Sequence, residues 1–84
     1  IVLPMPLATD ADLVRELVLD VFRGHPGMLE APAPSVLIDG ISDKGQVMFN
    51  ATGFVASPRQ AAGVRSALLF EILRRLRQLE IRMI

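Results

Sequence analysis

The stretch SVLIDGISDKGQVMFNATGFVA, residues 35–56, decides the fold. Residues 35–42 and 46–56 are rich in Val, Ile, Phe and Thr, side chains that fit a pleated, half-buried surface. Between them stand Asp43, Lys44 and Gly45, a short polar turn ending on the residue type that takes a positive φ without strain. The two arms predict a β-hairpin. Along the first arm Val36 and Ile38 alternate with Leu37, Asp39 and Ile41, so whichever face packs inward, apolar groups remain on the other.

Downstream of the hairpin, Ser57 is a helix-capping side chain and Pro58 suits the first helical position. Val64, Leu68, Leu69, Ile72, Leu76 and Leu79 then recur at helical spacing and predict a helix to about residue 79, with Phe70 roughly 160° from its apolar centre. Upstream, residues 24–34 hold two glycines and three prolines, the composition of a stiff, irregular connection. An earlier helix is marked by Leu13, Val14, Leu17, Val18 and Val21, with Arg15, Glu16, Asp20 and Arg23 on the far side. Thr9 offers it a hydroxyl cap, Asp10 and Asp12 suit the positive end of its dipole, and Gly24 with His25-Pro26 stops it. Leu19 falls opposite its apolar stripe. The apolar run at residues 1–7 carries Pro4 and Pro6, each lacking a ladder donor, and so predicts a short strand with few pairings or an edge position. A last strand is expected over residues 80–84. The order β-α-β-β-α-β matches a ferredoxin-like α+β sandwich, a four-stranded antiparallel sheet with both helices on one face, formed by residues 1–84 as one domain.

Composition narrows the function classes. The 84 residues are 51% hydrophobic, with nine cationic and nine anionic side chains and no cysteine, enough for one small core. A net charge of zero and a pI near 6.8 leave no cationic excess for nucleic acid or anionic lipid. Without cysteine there are no disulfides, redox dithiols or thiolate metal sites. Mean hydropathy is high at +0.43, yet the longest uncharged stretch, residues 45–58, is well short of the ~20 apolar residues a bilayer requires. The apolar start without Met or a basic leader, and the apolar end without a turn, read as a piece cut from a longer chain.

No catalytic constellation emerges. The only histidine, His25, sits at a helix end beside a proline, where an imidazole caps backbone carbonyls or favours the negative end of the dipole. Asp10 and Asp12 fit a helix first turn, and Asp39 and Asp43 lack a calcium-binding loop, so neither metal nor cofactor is expected. Residues 44–51 occupy the place of an RNA-recognition signature, but Gln46, Met48 and Ala51 stand where stacking rings belong, and the chain has neither Tyr nor Trp. What remains is a surplus of apolar side chains pointing off the core. Leu19, Leu37, Ile41 and Phe70 are the candidate contacts to other copies or to neighbouring domains. Eight arginines against one lysine suit such an interface, although Arg74, Arg75 and Arg77 also fit a solvated helix face paired to Glu71.

The run His25-Pro26-Gly27-Met28-Leu29-Glu30-Ala31-Pro32-Ala33-Pro34-Ser35-Val36 resembles the C-terminal cytoplasmic α/β domain of small-conductance mechanosensitive (MscS-type) channels. There a helix leads to a histidine-proline or similar pair and then a proline-x-proline before a strand. The resemblance extends from Thr9-Asp10 through Phe54-Val55 to the long second helix, while the ending departs from the family's glycine-glutamate-isoleucine-proline run at Leu79 and Arg82. It implies a vestibule and assembly domain of a mechanosensitive ion channel, on the cytoplasmic face of the bacterial inner membrane. The partners would be copies of itself, in a typically heptameric homo-oligomer, and upstream domains of the same chain. The domain would be no enzyme and would help form the chamber through which solutes reach the pore. The alternative from another class is a small-molecule-sensing regulatory domain of ferredoxin-like fold, holding its ligand at the hairpin and helix starts.

Overall fold

A computed structural model describes residues 1–79; the strand expected over residues 80–84 lies outside the described residues. Five elements follow in chain order: β1 Val2–Pro6, α1 Ala11–Gly24, β2 Ser35–Ile41, β3 Gln46–Thr52 and α2 Pro58–Gln78. The strands form a three-stranded antiparallel sheet ordered β1-β3-β2, which makes the molecule an α+β domain of two helices on one small sheet. Gly45 closes the hairpin at φ 76°, as its place in the turn requires.

β1 is longer and better paired than its prolines suggest. Ile1 and Ala51 exchange both main-chain hydrogen bonds, at 2.9 and 2.8 Å, and the register continues through Leu3 opposite Phe49 to Met5 opposite Val47. In an antiparallel ladder such pairs alternate with pairs whose backbone groups point outward. Val2, Pro4 and Pro6 fall in that second class, so neither proline removes a bond to β3.

The helices begin differently from one another. In α1 the cap is Asp10 rather than Thr9: its Oδ1 accepts from the Leu13 N–H at 3.2 Å, while the Thr9 N–H is used in the turn out of β1, donating to the Pro6 carbonyl at 3.0 Å. In α2 the Ser57 hydroxyl accepts from the Arg59 N–H at 3.3 Å, with Pro58 in the first turn as its fixed φ favours.

Every buried strand residue lies on one face: Leu3, Met5, Val36, Phe49 and Ala51. Val14, Leu17, Val18, Val21 and Phe22 of α1 and Val64, Leu68, Ile72 and Leu76 of α2 complete the same cluster, so both helices cover that face. The stripe of α1 therefore includes Phe22, which is 2% exposed, and excludes Leu13. Exchanging these two turns its centre by roughly 35° toward Leu19. As a result Leu19 is half-buried and packs on the core instead of pointing away from it. Leu79, expected in the buried stripe of α2, is exposed at the helix end.

Candidate functional site

Three of the four candidate contact residues are exposed: Leu37 at 65%, Ile41 at 64% and Phe70 at 68%, with Leu19 the half-buried exception. They do not share a surface. Leu37 stands opposite Asn50, and Val2 stands opposite the same Asn50 from the other side, so a Val2-Asn50-Leu37 row crosses the sheet on the face away from the helices. Val2 is exposed too, and Pro4 and Met48 continue the face in the next row. Its polar centre is Asn50, whose amide donates to Asp39 Oδ2 at 3.2 Å.

Ile41 is displaced from Leu37 by a bulge. The register passes from Ile38 opposite Phe49 to Gly40 opposite Met48, leaving Asp39 as the extra residue. A bulge shifts the alternation by one, so Ile41 stands opposite Val47 on the helix side of the sheet rather than beside Leu37. The signal for this was Gly40, a glycine inside a strand pattern. Its φ of 151° lies where side chains are rarely tolerated.

Phe70 lies on the back of α2, where it flanks a groove of about 420 Å³ with Ala67 and Arg74 and, from the end of α1, His25 and Pro26. The His25 ring is fixed here by accepting, not donating: Nδ1 takes the Gly27 N–H at 2.9 Å, in contrast to the carbonyl cap expected of it. Arg75 ties the two helices together. Its guanidinium donates to Asp20 Oδ2 on α1 and, at 3.4 Å, to Glu71 Oε1. Those carboxylates, Asp20 foremost, hold Arg75 above its ordinary pKa. Arg74 pairs with Glu71 at 2.7 Å, so the expected solvated i,i+3 and i,i+4 pairing is present alongside the interhelical bridge.

β3 ends at Thr52, short of the expected residue 56, and the chain continues past Gly53 to an isolated antiparallel bridge between Val55 and Met28. The Leu29 N–H donates to the Phe54 carbonyl at 2.8 Å, so this pairing fixes the proline-rich connection against the end of the hairpin. Beneath it opens a mostly apolar groove of about 250 Å³, lined by Ile1, Met28, Gly53, Val64, Arg65 and Leu68 among others. A smaller one of about 220 Å³ lies where the start of α1, with Asp12 and Arg15, faces Val36 and Ile38. Asp12 and Arg15 pair with each other at 3.2 Å. Among the described residues no three His, Asp or Glu side chains gather as metal ligands would, and no helix is long and apolar enough to cross a membrane.

No protein-family model matches the chain, and no curated protein matches it.

Proposed function

We propose that the chain is a non-catalytic assembly domain, the cytoplasmic vestibule unit of an MscS-type mechanosensitive channel at the bacterial inner membrane. The observation that carries the assembly reading is the pairing of two large apolar exposures on opposite layers, Phe70 outside α2 and Leu37 on the open sheet face. Separate apolar faces suit a unit packed between neighbours, whether copies of itself or domains preceding it in the parent chain. The channel family rests on the resemblance of His25 to Val36 and its flanking helices. In the parent protein, Phe70→Asp is expected to reduce oligomer mass and alter the tension response. If both stay at wild-type values, the proposal is wrong.

A small-molecule sensor is the competing reading, and the groove at the start of α1 is the place among the expected ones where it would bind. A metabolite that raises the unfolding temperature of the chain, and fails to do so for Asp12→Ala, would put the sensor in place of the assembly domain.

We propose further that the sheet is completed to the four-stranded ferredoxin-like order by residues 80–84, on the edge of β1 that no strand among the described residues occupies. The path of α2 supports this. Its first half, at Val64 and Leu68, shares a groove with Ile1, and its end, at Gln78 and Leu79, shares one with Leu13 and Leu17 early in α1. The helix thus returns the chain from the start of β1 to the region just beyond its end, from which a strand can run back antiparallel.

A further inference from the structure

The first half of α2 is almost free of charge. From Gln60 to Phe70 the single charged residue is Arg65, and its helical neighbours three and four positions away are Ala61, Ala62, Leu68 and Leu69. Its own helix therefore offers it no carboxylate, and the ion pairs among the described residues do not include it. Arg65 stands instead at the groove of about 250 Å³ beside the end of β3. Four other grooves each combine an arginine with an acid, namely Glu71, Glu30, Asp20 or Asp12. This one has the arginine and no acid, and its only other polar side chain is that of Thr52. A lining of this kind attracts negative charge and leaves it uncompensated until an anion arrives.

The rest of the groove is apolar. Phe22, Val64 and Leu68, all buried in the core, supply its inner wall, and the small residues Gly53 and Ala61 keep it open. Met28, on the far side, is an unbranched thioether that can shift to fit what enters. Volume limits the occupant. At about 30 Å³ per water-sized group, the space holds about eight such groups, below the range of drug-sized ligands. A lone guanidinium also selects the head group. Its planar fork matches the two oxygens of a carboxylate, whereas the second charge of a phosphate dianion would stay unmatched.

We infer that this groove is a binding site for a linear aliphatic monocarboxylate of about eight carbons, its tail against Phe22, Val64 and Leu68 and its carboxylate on the Arg65 guanidinium. Leu37 and Phe70 lie outside the groove lining, so the site is independent of the assembly reading.

An NMR titration of the 84-residue chain with sodium octanoate tests this, with the Ile1 amine acetylated so that Arg65 is the only cation lining the groove. Saturable shifts are expected at Val55, Ala61, Val64 and Arg65. Affinity should rise about tenfold from hexanoate to octanoate, as two more methylenes are buried, and gain nothing further with dodecanoate. Arg65→Gln should weaken octanoate about tenfold and leave octanol unchanged. Ala61→Leu, which fills the groove from an exposed helix position, should abolish binding of both. Octanoate that binds Arg65→Gln as tightly as the unaltered chain would overturn the inference, as would shifts that never saturate or that centre on Phe70 or Leu37. Binding lost in Asp12→Ala but kept in Arg65→Gln would place the ligand at the start of α1, overturning this site in favour of the competing sensor reading.

Discussion

Gly40, Gly53 and Asp10 each answer a local demand, of backbone conformation, of close contact and of helix capping in turn. At Gly40 the bulge demands φ 151°, and although a Cβ there would meet open space, the backbone itself excludes it. Gly40→Ala is expected to lower stability by about 1 kcal/mol or more, read from the urea midpoint. Gly53 is constrained by contact instead: a Cβ would lie 2.9 Å from Phe22 Cδ2 and nearer still to the Met28 methyl. Met28 can move aside, but Phe22 is held in the core, so Gly53→Ala should cost about 1–3 kcal/mol through overpacking. For the cap the contrast is between neighbours. Asp10→Ala removes the bond to the Leu13 N–H and is expected to cost about 1 kcal/mol, whereas Thr9→Ala should be nearly neutral in the same denaturation series.

At the scale of elements, the helices depend on Phe22 more than on their ion pairs. The ring is buried between α1, Met28 and Gly53, and Phe22→Ala should lose about 3–5 kcal/mol, close to abolishing the fold of so small a domain. The Asp20-Arg75 bridge joins the same helices but is solvent-exposed, with the Asp20 side chain 70% accessible. Arg75→Met is expected to cost less than about 1 kcal/mol at low salt, and the difference should vanish in 1 M NaCl. A larger, salt-independent loss would mean that the Arg75 stem matters through packing. The hairpin and α2 were legible because their signals are local: Gly45 in its turn, Ser57-Pro58 at its cap, and apolar spacing. The phase of the α1 stripe is not legible in the sequence, because Leu13 and Phe22 both fit a helical period and only the tertiary position of the sheet selects between them. The bulge was hidden for a related reason. Gly40 marked an irregularity, but the shift that carries Ile41 to the helix side depends on the partner strand. That Pro4 and Pro6 face away from β3 is a matter of register, which the order of residues along one strand does not contain.

For the whole molecule, the decisive property is that Leu37 and Phe70 occupy opposite layers, so a single self-complementary interface cannot bury both. On the proposed assembly role, such a unit would join copies head to tail, the helix face of one against the sheet face of the next, and these contacts close into a ring where the rotation between neighbours closes. This makes a sharp prediction for mixtures. Phe70→Asp leaves the Leu37 face intact and Leu37→Asp leaves the Phe70 face intact, so each variant alone should sediment as a monomer. Mixed in equal amounts, they retain one complementary pair of faces between them and should form one-to-one dimers that grow no further, whereas the unaltered chain forms larger closed species. Both substitutions replace exposed side chains, so unfolding midpoints should move by less than about 0.5 kcal/mol and keep loss of assembly separate from loss of fold. A mixture that stays monomeric while the unaltered chain assembles would show that the two faces do not meet. An unaltered chain that is monomeric at millimolar concentration would remove the head-to-tail contact from the isolated domain altogether.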